Sequence, residues 1–562
     1  MTFQLLRNLS FVLSAALLLS HLVEGQTCSE TSPAVIKGNQ IFNSETGEHL
    51  PIKGIAYRPR PNTKVLNAEG IDYFVDEFKH IWSRDIPKLQ ELGVNAVRLY
   101  NVNPNLNHDE FMCALDEAGI YALVGLGNEC EGCEITDEDA PNCYPAALKA
   151  RGQRVISEFS KYTNVLGFSA GNQANLAAIG EPERNGVCQK KFIRDMRSYV
   201  QSCGDNDGND GMRKIPIGVV SADVDRADNA EFYGCRSDPD DEFENAEFYG
   251  INVYLHCNGG VTDTSDLGAY MNLKEGFDSY GLNVPVMLTE LGCLHESFEE
   301  VDGYEAQRNF LQLEALYSEE YVETFAGGFV FEYSTELERS QETSPWPFDT
   351  YGPSNFGVGY LEPEECDDVV LMCNYTPFPQ FETLSERFAD VDTSFVPNIE
   401  EFEPSVTEFP DCPNRFPPLS DFNWFVDTVN DIQCPVMGME SAKPSLAPSS
   451  SPSVAPTAVP SSSPTITAAP SDVSVLGTGT SNDGEEDDGT GASDDEDNNA
   501  SAGSTKDSSG GRRSKVWRNL LIAAGVFMCL IGCWCLYSCC CGGGCIGGKY
   551  ASGRDDAEVD ED

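Results

Sequence analysis

The stretch FVDEFKHIWSRDIPKLQELG (74–93), followed almost at once by NAVRLY (95–100), sets the architecture. Its first part repeats apolar residues at three- and four-residue spacing, the period of an amphipathic helix, and its second is a short β-branched run. The same pairing recurs along the chain. Runs that read as strands are PIKGIAY (51–57), NAVRLY (95–100), YALVGL (121–126), VLGFSAGN (165–172), IPIGVV (215–220), FYGINVY (248–254), VPVMLTE (284–290) and GGFVFEY (327–333). Helix-like stretches such as HDEFMCALDEAG lie between them. Alternating strand and helix predicts an α/β fold with a parallel sheet, and eight repeats predict a closed (β/α)8 TIM barrel. An open doubly wound sheet would place a Gly-rich phosphate loop after its first strand. The run Tyr57-Arg58-Pro59-Arg60-Pro61 offers none.

The chain has 562 residues, with 36 Lys and Arg against 91 Asp and Glu, a net charge of −55. So acidic a chain repels phosphate backbones and shows no basic stripe, which excludes nucleic-acid binding. Hydrophobic residues make up 40% of it, enough apolar surface to bury a core. The opening MTFQLLRNLSFVLSAALLLSHLVEGQT reads as a secretory signal peptide, residues 1–25, cleaved after Gly25. A second apolar run, LLIAAGVFMCLIGCWCLY (520–537), has no charge, and its eighteen residues would cover about 27 Å as a helix. The chain continues past it to DDAEVDED, which disfavours a GPI signal and predicts a single-pass protein with its N-terminal domain outside the cell. Arg512, Arg513, Lys515 and Arg518 on the outer side run against positive-inside bias, and the signal peptide overrides them.

The predicted organisation is a barrel domain over 26–370, a Cys- and Pro-containing extension over 371–437, and a stalk over 438–515. A transmembrane helix over 516–541 and a short acidic cytoplasmic tail over 542–562 follow. The stalk, with KPSLAPSSSPSVAPTAVPSSSPTITAAP and GEEDDGTGASDDEDNN, lacks the apolar residues to pack. Fourteen of the 21 cysteines lie between Cys28 and Cys434 and suit disulfides in an oxidising lumen. Cys539, Cys540 and Cys541 are palmitoylation candidates. Asn374 (NYT) and Asn499 (NAS) are glycosylation sequons. Cys130-x-x-Cys133 has no second pair at zinc spacing, so neither a metal nor a cofactor is predicted.

A barrel of this kind carries its chemistry at the carboxyl ends of the strands. Those ends supply Tyr57, Tyr100, Asn172-Gln173, Tyr254, Glu290 and Tyr333. Aromatic faces stack on pyranose rings and amides hold hydroxyls, so the set suits a sugar. The six histidines fall elsewhere, which leaves acyl transfer without a base, and no H-E-x-x-H pair serves metal hydrolysis. Glu290, closing an apolar strand, is either a reactive carboxylate in a polar pocket or an ordinary strand-end charge facing solvent. Retaining glycoside chemistry needs a second carboxyl about 5–5.5 Å away, and the fourth strand supplies an amide instead.

The ordered runs IKGIAY, RDIPKLQELGVNAVRLYNVN, HDEFMCAL, YTNVLGFSAGN, RKIPIG, EFYGINVY, VPVMLTELGC and GGFVFEY together resemble the fungal β-1,3-glucanosyltransferases of glycoside hydrolase family 72, over about residues 35–335. The resemblance implies a barrel that cleaves β-1,3-glucan internally, holds a covalent glycosyl-enzyme and passes it to another glucan chain. It implies Glu290 as nucleophile and Tyr100, Asn172, Tyr254 and Tyr333 as sugar-subsite residues. A Cys257–Cys293 disulfide is implied, as is pairing of Cys235 with Cys366 or Cys373. The family's Gly-Asn-Glu, whose Glu is the acid/base, is here Gly171-Asn172-Gln173. Arg58 replaces a Gln, Gly125 a sugar-contacting Asp, and Trp82 a half-cystine, so Cys113 needs a new partner or stays free. Three readings of Gln173 follow: another carboxyl such as Glu181, Glu129 or Glu332 acts as acid; the protein binds glucan without turnover; or its substrate has a leaving group that needs no acid.

Overall fold

The structure is a computed structural model and describes residues 28–435 apart from 29, 69, 129, 205–210, 257–266, 295–299, 306, 307, 351 and 353. The predicted signal peptide, stalk, membrane helix, tail, Asn499 and the Cys257–Cys293 disulfide lie outside the described residues. Among the described residues no helix is long and apolar enough to cross a membrane.

All eight predicted runs form strands, and they close into one parallel ring in chain order. They are β3 (Ile52–Ala56), β4 (Ala96–Leu99), β5 (Tyr121–Gly125), β6 (Val165–Ser169), β7 (Ile217–Ala222), β8 (Tyr249–His256), β9 (Val286–Leu294) and β10 (Phe325–Val330). β10 pairs back onto β3 with Gly327 opposite Ile52, which closes the barrel. Strands enclosed by a ring of helices are buried on both faces, hence their near-continuous Val, Ile and Leu. Gly54 on β3 makes room inside, because a Cβ there would lie 2.3 Å from the Phe329 ring.

Helices fill the crossovers. α1 (Lys79–Leu92) buries Ile81, Trp82, Ile86, Leu89 and Leu92 and stops at Gly93, whose φ of 78° is left-handed. α2 (Asp109–Glu117), α3 (Ala146–Phe159), α4 (Glu183–Gly204), α5 (Arg226–Gly234) and α6 (Gly268–Tyr280) continue the ring. Trp82 occupies the place of the family half-cystine as core: its indole N–H donates to Val75 O at 3.1 Å and its ring meets Phe111 edge-on.

An antiparallel hairpin of β1 (Ala34–Lys37) and β2 (Gln40–Asn43) precedes the ring. Its Ala34 and Ile41 pack with Leu166, Phe248 and Met287 and plug the amino-terminal mouth. That leaves the carboxyl-terminal mouth for the site. After the barrel, the hairpin of β11 (Gly359–Glu362) and β12 (Asn374–Pro377) crosses the boundary predicted at 370. Asn374 is exposed at its edge.

Residues 390–435 run as a strap along the hairpin and the helical layer. Ile399 bonds Gly47 O at 2.8 Å, Phe416 stacks on Phe232 at 3.8 Å, and Lys149 pairs with Asp431 at 2.9 Å. Two disulfides pin it, Cys235–Cys412 and Cys203–Cys434. This corrects the pairing implied for Cys235: Cys366 and Cys373 bond to each other across a short loop, and the strap brings Cys412 to Cys235 instead. Cys113 finds Cys28, and the inserted loop closes on itself through Cys130–Cys133 and onto α4 through Cys143–Cys188.

His108, fully buried ahead of α2, lies 2.8 Å from Asp72 and 3.8 Å from Glu158. Burial alone would lower its pKa, but bonding to Asp72 and then Glu158 prevails and raises it to about 9. A folded-state pKa above the unfolded value of roughly 6.5 stabilises the fold fully below that pH and ceases to do so as pH climbs through about 9. Urea unfolding of the wild type between pH 6 and 10 should lose stability over that window, and His108→Gln should flatten the slope.

Candidate active site

Glu290 stands on β9 opposite Asn252 of β8, and only 6% of it is exposed. A carboxylate so enclosed must be paired, and three donors converge on it. Oε1 accepts from Arg98 Nη1 at 3.0 Å and from the Tyr100 hydroxyl at 2.9 Å, while Oε2 accepts from the Tyr254 hydroxyl at 2.5 Å. Arg98 lies on β4 and Tyr100 directly after its last residue, two positions on, so both turn inward as alternate strand positions do. The solvent-facing alternative for Glu290 does not hold.

Arg98 organises the floor of the mouth. Its Nη1 also donates to Thr289 O at 2.9 Å and Asn252 Oδ1 at 3.2 Å, and its Nη2 donates to Asn172 Oδ1 at 2.7 Å. Its guanidinium lies 4.4 Å from the Tyr100 ring centre. Burial, followed by the Glu290 charge, pushes the Tyr254 hydroxyl well above its usual range. Burial does the same for Tyr100, opposed by Arg98 and helped by Glu290. Both phenols therefore stay protonated and can only donate to the carboxylate.

Asn172 is exposed at the end of β6, and its Oδ1 also accepts from Asn252 Nδ2 at 3.2 Å. Gln173 follows in the left-handed region (φ 56°, ψ 32°), half-buried, with its N–H on Val220 O at 2.9 Å. Gly125, at the end of β5, sits where a Cβ would lie 2.6 Å from Tyr100 O, so the backbone leaves no room there for the family's Asp.

Tyr57 and Tyr333 are placed apart from this group. Both are fully buried, they meet edge-on at 5.4 Å, and both hydroxyls donate to Asp85, at 3.0 and 3.1 Å. Neither ring offers a face to a sugar in this structure. Aromatic surface comes instead from Phe331 and Phe356, which flank Tyr254 at 6.0 and 5.4 Å with the Arg339 guanidinium over both.

Of the three carboxyls weighed as substitute acids, Glu129 lies outside the described residues and Glu181 is exposed ahead of α4. Glu332 follows β10 and is buried. Burial and then the charge of Glu336 hold its pKa well above the carboxylate range, with Arg339 and Arg58 opposing and Glu290 adding to the rise. Its Oε1 has no hydrogen-bond partner. Arg58 also faces Glu336 at 3.7 Å. Arg98, Asn252 and Thr289 carry no motif, yet a charge inside NAVRLY was a signal, because a strand buried on both faces cannot hold an unpaired guanidinium. Among the described residues no cluster of His, Cys, Asp or Glu is arranged to hold a metal.

A closed (β/α)8 ring with one multiply held carboxylate and tyrosines at its carboxyl-terminal mouth defines a carbohydrate-type barrel. The chain belongs to the glucanosyltransferase family of glycoside hydrolases 72, whose family model matches residues 24–340. It is 31% identical over 383 residues to 1,3-beta-glucanosyltransferase gas5 of Schizosaccharomyces pombe, covering 68% of this chain and 65% of that protein. To 1,3-beta-glucanosyltransferase GAS5 of Saccharomyces cerevisiae it is 31% identical over 338 residues, 59% of this chain and 62% of that one. It thus spans a little under two thirds of these relatives. Saccharomyces cerevisiae Gas2p, as a glutamate-to-glutamine mutant without ligand, aligns with a TM-score of 0.52 and 27% identity, over 70% of this chain and 74% of that one. The same mutant in complex with laminaritetraose and laminaripentaose aligns with a TM-score of 0.50 and 26% identity, over 69% of this chain and 75% of that one.

Replacing Arg98 by Met would leave Glu290 buried beside two phenols without its cation. Loss of one partner of a buried pair costs about 3–5 kcal/mol. Arg98→Met should lose about that much in urea unfolding.

Proposed function

We propose that the protein is a β-1,3-glucanosyltransferase that works by retention, with Glu290 as nucleophile. The observation that carries this reading is the carboxylate fixed by Arg98, Tyr100 and Tyr254 at the mouth of the barrel. The names of the relatives and the laminari-oligosaccharides bound by Gas2p support β-1,3-glucan as both donor and acceptor. Glu290 attacks the anomeric carbon and the glycosidic bond breaks toward its oxygen. The glycosyl-enzyme is then opened by a hydroxyl at the non-reducing end of a second chain, which gives its proton back to the residue that protonated the leaving oxygen and frees the Glu290 carboxylate. Three donors on one carboxylate fix its orientation, so little reorganisation is needed as the bond forms. Asn172, on the rim and steered by Arg98, is a hydroxyl-binding group.

The departing oxygen needs a proton, and the Gln173 amide can donate a hydrogen bond but not release one. General acid assistance is worth about 10²–10⁴-fold. Of the carboxyls weighed as substitutes, Glu332 is the one we assign as acid: it is buried at the end of β10, and burial followed by the charge of Glu336 raises its pKa well above the carboxylate range. The second reading, a glucan-binding protein without turnover, is favoured by Gln173 itself. Disulfides among the described residues, the signal-like start and the apolar run 520–537 support a cell-surface head on a single membrane span, with the 371–437 extension stapled to it. Tyr57 and Tyr333 are assigned to the support of the mouth, through Asp85.

Incubating the protein with reduced laminari-oligosaccharides should yield longer products by mass spectrometry, and Glu290→Gln should abolish them. Unchanged oligomers with the wild type, but measurable binding, would establish the second reading. Gln173→Glu should raise turnover, by less than the full ~10²–10⁴-fold worth of acid assistance because Glu332 already supplies part of it. Glu332→Gln should silence the wild type yet spare the Gln173→Glu chain; equal loss in both would remove Glu332 as the acid.

A further inference from the structure

The loop Cys366-Asp367-Asp368-Val369-Val370-Leu371-Met372-Cys373 is closed by its own disulfide and carries four consecutive exposed apolar residues. Val369 is 61% exposed, Val370 82%, Leu371 41% and Met372 46%; Val65, at 78%, follows the residue that pairs with this loop. Aliphatic side chains standing together in water mark a contact surface.

The loop is held rigidly from within. Asp367 Oδ1 accepts the backbone N–H groups of Val369, Val370 and Leu371 at 3.1, 2.7 and 2.8 Å, and Asp368 Oδ1 accepts that of Cys373 at 2.8 Å. Both carboxylates turn inward onto cations: Asp367 to Lys64 at 2.5 Å, Asp368 to Arg84 at 3.2 Å. His80 binds Asp368 O, and Thr63 N–H binds Cys366 O. The loop thus sits beside the segment that follows β3, on the rim of the mouth that holds Glu290.

We propose that this stapled loop is a membrane-docking knob that inserts Val369, Val370, Leu371 and Met372 into the surface of a zwitterionic bilayer. Three features select lipid. Three of the tip's backbone N–H groups, those of Val369, Val370 and Leu371, already donate to Asp367, which lowers the cost of burying them in hydrocarbon. Aliphatic side chains lack the ring faces that sugars stack on, so glucan is the wrong occupant. Exposed Glu364 and Glu365 beside the loop, on a chain of net charge −55, disfavour an anionic surface. The apolar run 520–537 predicted to span a bilayer would tether the head beside one, so weak insertion suffices through high effective concentration. Docking there turns the rim of the mouth toward the membrane. The inference does not depend on the Gln173 question or on turnover.

The test uses the full chain reconstituted in phosphatidylcholine vesicles with brominated acyl chains, comparing Val370→Trp with Phe425→Trp on the strap, where Phe425 is 71% exposed. The added emission of Val370→Trp should be quenched at least two-fold and shifted to the blue, and that of Phe425→Trp should be unchanged. Adding Leu371→Asp to Val370→Trp should remove the quenching while laminari-oligosaccharide binding persists. Equal quenching of the two tryptophans, or quenching only with phosphatidylserine present, would overturn the proposal. So would a blue shift that follows protein density and ignores bromine content, since that would mean a second copy of the chain.

Discussion

A buried arginine on one strand and a buried glutamate on another, three steps around the ring from it through β3 and β10, hold the functional end of this barrel together. Arg98 reaches from β4 to Glu290 on β9, and on the way takes in Thr289 O, Asn252 and Asn172. Taking either charge out of water is costly, and only the mutual pairing with further hydrogen bonds offsets it. The pair is therefore a constraint as much as an attraction. It obliges β4, β6, β8 and β9 to present these side chains at one depth, and the closed ring of parallel strands meets that demand.

The remaining architecture serves the same end by closing everything else. The amino-terminal hairpin packs aliphatic side chains against the lower mouth, while the polar side chains gather at the carboxyl-terminal ends of the strands. Beneath the rim, Asp85 gathers the hydroxyls of Tyr57 and Tyr333, which makes two strand-end aromatics into supports. The strap then binds hairpin and helices from outside. Polar chemistry is thus confined to one end, with Phe331 and Phe356 supplying apolar wall beside the carboxylate.

Much of this was legible in the chain. Eight β-branched runs at helix-spaced intervals gave the barrel because a parallel strand buried on both faces has a distinctive composition. Glu290, Tyr100 and Tyr254 were legible as strand ends, and they do converge. Tyr57 and Tyr333 look the same by position, yet their hydroxyls meet an aspartate in α1; strand-end placement does not tell which way a long ring turns. Arg98 lies inside a strand and not at its end, so the strand-end rule does not point to it. The pairing of Cys235 is hidden in the sequence for a different reason. A disulfide partner depends on where a chain of low regularity runs, and no periodicity in 390–435 reveals that it meets the end of α5 at Cys412 and runs along that helix afterwards. The β1–β2 hairpin has no signature in the sequence because four-residue strands leave little pattern.

The strap has one further consequence. Its last stretch is cross-linked to the helical layer at both ends, by Cys412 and by Cys434, across 177 and 231 residues of sequence. A protease that nicked the backbone between Ala389 and Cys412 would release nothing, since the severed piece stays covalently attached at two points. A cut just beyond Cys434 would likewise leave both cross-links in place, so the integrity of the site does not require an unbroken backbone at either end of the strap.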